Sequence, residues 1–271
     1  MRRARRFSWL TLNWLLLLFL PLPLAIVAAV SISPSHFVSF PPTGFSLVWY
    51  HQFLSSPQWM TAFGISAGIA IVAAVLTTAS AVMAALALEQ TGPRARGVVE
   101  TLILAPLIFP HAAIGVAIFG FLALTYYLRG SYWGVGLAHV ILCVPFAFRP
   151  VAASFHKLDR SLAEAAMNLG ARPATIVRRI TLPLLAPGIV SALLFTFIVS
   201  FDEITVTLFL TAPGITTLPL TIYSRLEQSA DPVVAAVSTL LVLMTLALVL
   251  ILQRTVGLEL FVNIEADEKA A

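Results

Sequence analysis

The sequence predicts an all-α integral membrane protein with six transmembrane helices, and three observations predict it. The 271 residues are 59% hydrophobic and only 10% charged, with mean hydropathy +0.96, whereas a soluble domain carries about 25% charged residues. Six apolar segments recur along the chain, at 9–31, 59–88, 98–124, 134–152, 186–211 and 233–253. About 20 apolar residues cross about 30 Å of hydrocarbon at about 1.5 Å each, and all six segments qualify, the fourth being the shortest. Backbone groups find no water in lipid, so such segments are helices. The third observation is one-sided basic charge.

Of the 16 Lys and Arg, all but Arg129 and Arg225 fall in four places. These are the N-terminus (Arg2, Arg3, Arg5, Arg6), the 89–97 loop (Arg94, Arg96), the 149–179 region (Arg149, Lys157, Arg160, Arg172, Arg178, Arg179) and the C-terminal end (Arg254, Lys269). Basic loops stay inside, so both termini and the long fourth-to-fifth connection are expected in the cytoplasm. The formal charge of +4 therefore reflects topology rather than nucleic-acid binding. The expected layout is a basic cytoplasmic N-terminus at 1–8, a six-helix domain at 9–255 with a polar loop at about 153–187, and a cytoplasmic tail at 256–271. The single cysteine, Cys143, lies in an apolar run, so there is no disulfide framework.

Taken in order, the first element is an arginine cluster followed by apolar sequence from Trp9 to Val30. That run exceeds the 7–15 residues of a signal-peptide core and reads as an uncleaved first helix. Residues 32–58 form an outer loop carrying His36, Trp49, Tyr50 and His51. Trp and Tyr favour headgroup depth, so this loop is either an interfacial anchor or a docking surface for an extracytoplasmic partner. In the third segment Pro106 and Pro110, with His111 next, predict a bend whose freed carbonyls need other partners. His111, and His139 in the fourth segment, read as structural, since no Cys, Asp or second His stands at metal-ligand spacing. No inverted repeat is visible, which weighs against many secondary-transporter folds. The tail from Glu259 to Ala271 is polar and expected to fray.

Between the fourth and fifth segments lies a polar, turn-rich island. Ser161-Leu162-Ala163-Glu164 has the S-x-x-E form of a capping box. A short helix through Leu169 is expected to end at Gly170, which tolerates the left-handed conformation. Pro173 suits the first turn of a second helix, which Pro183 and Pro187 are expected to end before the fifth span. Amphipathic helices lie on membranes or dock to partners, and the pattern alone supports both equally.

The fifth segment contains Ser200-Phe201-Asp202-Glu203. Counted from Gly188, Asp202 lies about 21 Å along the helix, past the bilayer middle. An Asp there costs about 2.5–3.5 kcal/mol on insertion scales, so such groups normally face a cavity or a partner. Three readings stand. Ser200 and Glu203 form a second capping box that breaks the span; Asp202 pairs with a basic group such as Arg149; or the acids line a cation pathway.

The island also carries a specific pattern: E-A-A, three residues, G, nine residues, I-x-L-P. Glu164, Ala165, Ala166, Gly170, Ile180, Leu182 and Pro183 match it at every spacing. This resembles the conserved cytoplasmic loop of ABC-importer permeases, the binding-protein-dependent transport inner-membrane family. The six-span layout is similar as well. The resemblance implies a type I importer permease fold in the bacterial inner membrane and a loop that docks in a cleft of an ATPase subunit. It further implies a second permease, an extracytoplasmic substrate-binding protein and a small-molecule substrate. Under it, Glu164 orients the ATPase-facing end, Ala165 and Ala166 allow close approach, and Gly170 supplies the turn.

Ser200 to Leu210, then Thr217-Leu218-Pro219, resembles the spermidine/putrescine branch, as do Phe40 to Leu47 with Trp49-Tyr50, and Asp231-Pro232 with 235–239. That branch implies a flexible polycation passing Ser200, Phe201, Asp202 and Glu203 by charge and cation–π contact. No G-x-x-x-x-G-K-[ST] loop is present, so nucleotide chemistry is expected in a partner and no cofactor in this chain. Two other classes remain to be weighed. One is a gradient-driven carrier or channel using Asp202 and Glu203 as an ion site, and the other is a purely structural assembly subunit.

Overall fold

A computed structural model describes residues 2–125, 128, 130–212, 214–229 and 231–256. Arg129, Lys269 and, apart from Val256, the expected tail at 256–271 lie outside the described residues. Among these residues every regular element is helical. In order they are α1 (Arg2–Phe19), α2 (Leu22–Ser31), α3 (Val48–Ser55), α4 (Pro57–Glu89), α5 (Pro93–Leu104), α6 (His111–Ala123), α7 (Tyr132–His156), α8 (Arg160–Asn168), α9 (Pro173–Ile176), α10 (Leu182–Phe201), α11 (Thr205–Leu210), α12 (Leu218–Gln228) and α13 (Pro232–Val256). Among the described residues five stretches are long and apolar enough to cross a bilayer: Trp9–Ser31, Pro57–Glu89, Tyr132–His156, Pro173–Phe201 and Pro232–Arg254.

The expected third span is the exception. Pro93–Leu107 and His111–Ala123 meet at 100° and make a sixth span only if taken together. Pro106 sits in a 3-10 turn at Ala105–Leu107, and Pro110 precedes α6 in an extended conformation. Proline lacks an N–H and its ring blocks the carbonyl four residues back, so two prolines four apart interrupt the helix at successive turns and give a corner rather than a kink.

The fifth span departs from expectation at its near end. Pro183 and Pro187 do not end a helix. A π-helical turn at Val177–Thr181 joins α9 to α10, and Pro183 falls in the first turn of α10, where its missing N–H matters least. At the far end the helix stops at Phe201, and 202–204 separate it from α11.

The chain divides into two compact units, Met1–Thr61 with Thr221–Leu246, and Ala62–Leu220 with Ala247–Ala271. In the second unit α4 buries a stripe of small residues, Ala70, Ala73, Ala74, Thr77, Ala81 and Ala85. Small side chains let helices approach closely where lipid offers no hydrophobic drive. One end of the core joins Ile69 of α4 to Ile118 and Leu122 of α6, Val135 and Leu142 of α7, and Val206 and Leu210 of α11. The other joins Ala81, Ala85 and Leu88 to Ala147, Phe148 and Val151 of α7 and Ala192 of α10. Ser66 Oγ of α4 accepts from the buried N–H of Leu218, the first residue of α12 (2.8 Å).

α7 packs closely against α10. A Cβ on Gly188 would overlap the Ser154 hydroxyl and lie 2.8 Å from the Pro150 carbonyl oxygen. Backbone cannot yield as a side chain does, so Gly188→Ala is expected to destabilise the unit by about 1–3 kcal/mol, the range for overpacking. A thermal-stability scan in detergent checks this; an unchanged midpoint would show that the crossing is looser than described.

In the first unit, the outer loop is folded on itself. Trp49 is buried, and its Nε1 donates to the Ser33 carbonyl (2.7 Å). Tyr50 shares a hydrogen bond with Ser31 Oγ (2.6 Å). Headgroup anchoring was one of the two readings of these aromatics; here their polar atoms hold the loop together, because a backbone carbonyl and a serine lie within reach. Arg225, in α12, donates to Gln58 (2.6 Å) and lies 3.9 Å from Asp231.

Candidate functional site

The first site is the hairpin between α7 and α10. The cap of α8 is Asp159, whose Oδ1 accepts from the Ser161 N–H (2.9 Å). The expected capping box on Ser161 and Glu164 does not form, because the helix already starts at Arg160 and Ser161 lies inside its first turn. Hydrogen bonds from the Ser161 side chain and backbone hold the Asp159 carboxyl below the usual carboxylate range. A carboxyl lowered on folding stabilises the fold above its unfolded value and gives that up as pH falls through its folded value, so the cap is intact at neutral pH.

The helix ends as expected at Gly170, which has φ +80°. The Gly170 N–H donates to the Met167 carbonyl (2.9 Å) and the Ala171 N–H to Ala166 (3.0 Å). This pair of bonds is the Schellman closure. No atom would lie within 4 Å of a Cβ there, so backbone conformation rather than crowding demands glycine. Glu164 and Ala165 are exposed and Ala166 half-buried. Leu162, Met167 and Leu169 are exposed too, Leu169 at 89%. Behind α8, Phe155, Asp159, Ala163, Ile180, Thr181 and Leu184 line a cavity of about 100 Å³. Leu182 is half-buried and Pro183 exposed. Arg96 of α5 donates to Glu100 (2.8 Å) and to Nε2 of His156 (2.9 Å), fixing the end of α7 from which the hairpin leaves.

The second site is a buried chain of polar groups where the two irregular spans meet. Glu203 is buried, and its Oε1 accepts from the Val206 N–H (2.8 Å), capping α11. His111 Nδ1 donates to its Oε2 (3.0 Å). Thr207 Oγ1 donates to the Glu203 carbonyl (3.0 Å) and lies 2.9 Å from His139 Nε2, while His139 Nδ1 lies 2.8 Å from Ser200 Oγ. With its proton given to the carbonyl, the Thr207 oxygen accepts from His139 Nε2–H, and a neutral imidazole then accepts from the Ser200 hydroxyl. Every member of the chain is satisfied, as a buried polar network requires.

The expected Ser200–Glu203 capping box is therefore replaced. Glu203 caps α11 alone, and Ser200 turns to His139. Phe201 is buried, its ring 5.6 Å from Phe197 and 5.8 Å from Phe63. Asp202 alone of the four is exposed, at the C-cap of α10, with no side-chain partner among the described residues. Arg149 is exposed and lies ten residues, about 15 Å along α7, from His139, too far to reach Asp202. Sequence reasoning passed over His111, His139 and Thr207 as network members. Two histidines in otherwise apolar spans were the available signal, but their partners lie 92, 61 and 68 positions away.

A family model described as binding-protein-dependent transport system inner membrane component matches residues 77–258. The putrescine transport system permease protein PotI of Escherichia coli K12 is 33% identical over 231 residues, covering 82% of this chain and 81% of its own. The spermidine/putrescine transport system permease protein PotC of Haemophilus influenzae is 31% identical over 210 residues, covering 78% and 81%. Among solved structures, a chain of a bacterial ABC transporter involved in import of the acidic polysaccharide alginate superposes with TM-score 0.71. It is 18% identical, with 93% of this chain and 97% of that one covered, and so shares the fold.

Proposed function

Because the chain belongs to the family of binding-protein-dependent transport system inner membrane components, we propose that it forms one half of the pore of an ATP-driven polyamine importer. It is a transport subunit of the inner membrane rather than an enzyme, with the type I importer permease fold. In the proposed assembly a related permease completes the pore, an ATPase pair lies beneath, and a substrate-binding protein delivers solute from outside. ATP binding closes the ATPase pair, draws the two hairpins together and opens the pore outward.

One observation carries this reading: the hairpin is capped at both ends of α8 yet leaves Leu162, Met167 and Leu169 uncovered. A rigid helix with an apolar tip transmits motion from a partner's cleft, which a frayed loop does not. Glu164, Ala165, Ala166, Gly170, Ile180, Leu182 and Pro183 are the proposed coupling residues. The names of the similar permeases support a polyamine, and so does the exposed carboxylate of Asp202. It sits at a helix C-terminus, whose own partial negative charge also favours a cation.

Within the second site we assign Glu203 and Ser200 to holding the broken span, and Asp202 to the passing ammonium groups. Asp202→Asn is then expected to lower uptake of trivalent spermidine about tenfold, equal to about 1.4 kcal/mol, and that of divalent putrescine less. Equal losses for both would point to folding instead.

The test of the function is purification of the tagged chain from gently solubilised membrane, followed by uptake of labelled spermidine into vesicles with and without ATP. Recovery of an ATPase and a second permease with ATP-dependent uptake is the expected result. The same assembly without spermidine uptake would remove the substrate, and uptake driven by a gradient alone would remove the class.

A further inference from the structure

Between Arg6 and Glu89 there is no Asp, Glu, Lys or Arg. Within that stretch the segment after the first span closes on itself. The Ser46 N–H donates to the Ile32 carbonyl (2.7 Å), so the ends of a compact loop meet directly beyond Ser31. Ser33 Oγ lies 3.4 Å from Thr43 Oγ1, and the Trp49 indole, edge-on to His36 at 5.2 Å, holds the Ser33 carbonyl. The groups able to hydrogen-bond are thus largely used inside.

What the loop presents outward is apolar: Phe37 is 80% exposed, Phe45 74% and Phe40 61%, with Val38 and Leu47 beside them in sequence. A protein-binding surface has a polar rim and about one hydrogen bond per 100–200 Å². This loop offers phenylalanines and no Asp, Glu, Lys or Arg; His36 and Thr43 are the polar side chains exposed beside them. Its pinned ends keep it within a few residues of Ser31, where the first span ends, and α3 leads straight on to the second span at Pro57, so both flanks tie it to spanning segments. We infer that the loop seats Phe37, Phe40 and Phe45 in the lipid interface, in the leaflet opposite the arginine-rich N-terminus. The bilayer is its occupant. The phenylalanines take the anchoring place that Trp49 and Tyr50 give up, and they moor the first unit at that membrane face.

The experiment attaches a spin label to single cysteines in the full-length protein in lipid nanodiscs; the native Cys143 is buried. Labels go at Phe37→Cys and Phe45→Cys. Ile71→Cys on the exposed face of α4 serves as lipid reference and Asn168→Cys in α8 as water reference. The oxygen-to-nickel-chelate collision ratio at 37 and 45 is expected to exceed that at 168 several-fold and to approach that at 71. A ratio equal to that at 168 would overturn the inference and leave the loop to a protein partner. A second measurement uses the unaltered chain. Lipids bearing a diazirine on the acyl chain near the headgroup are expected to label peptide 33–47; labelling of α1 without that peptide would overturn the inference as well.

Discussion

Gly170→Pro is expected to abolish coupled uptake while the protein still inserts and assembles. Proline holds φ near about −65°, whereas Gly170 stands at +80°. It also lacks the N–H that closes the bond to Met167. Both halves of the Schellman closure fail together, and α8 loses its fixed end. Gly170→Ala is the graded comparison: nothing crowds its Cβ, so its cost is only the left-handed strain, about 1–2 kcal/mol. Leu169→Asp addresses the same site from the outside. It leaves the backbone alone and puts a charge on an 89% exposed residue. If that leucine is a docking anchor, the loss is about 2 kcal/mol or more, which is about thirtyfold in affinity for the ATPase. The measurement is ATPase co-purification together with uptake and ATP turnover in reconstituted vesicles. Full uptake in both Gly170→Pro and Leu169→Asp would sink the coupling role of the hairpin.

Glu203→Ala is expected to produce the largest loss of stability from a single side chain in the second site. It leaves the buried Val206 N–H without an acceptor and His111 without its carboxylate. An orphaned buried group such as the Val206 N–H costs about 1–3 kcal/mol, and the half-exposed His111 loses its partner as well. Glu203→Gln keeps the shape: its amide oxygen still accepts from Val206, and its NH₂ can donate to His111 once the imidazole proton moves to Nε2. The expected order of melting temperatures in detergent is therefore native, then Gln, then Ala. His111→Ala should fall between native and Glu203→Ala, because it strands one carboxylate oxygen while the bond from the Val206 N–H is kept. Equal stability of Ala and native would mean that the break between α10 and α11 is held by packing alone.

These two sites differ in how much of them could be read from the chain. The hairpin was largely legible, because caps and turns act over three to six residues: Gly170 and Pro173 stand where local backbone chemistry demands them. Even there Asp159, two residues before Ser161, took the cap, since the first acceptor with the right geometry ends the competition. The acids of 200–203 were visible as costly groups in an apolar span, but which of them is spent and which is free was not. That depended on His111 and His139 arriving from α6 and α7.

By itself the sequence determined the class, the helical composition and the family, because these rest on quantities summed over long windows and on a motif of fixed local spacing. It also marked Pro106 and Pro110 as a bend. Only the tertiary structure decided that the bend is a 100° corner, that Glu203 and His111 join that corner to the break after Phe201, and that Trp49 faces in while Phe37 and Phe45 face out. For the polar side chains the physical reason is shared: their direction is set by a partner brought in from elsewhere in the chain, Glu203 for His111 and the Ser33 carbonyl for Trp49, and local sequence does not name that partner.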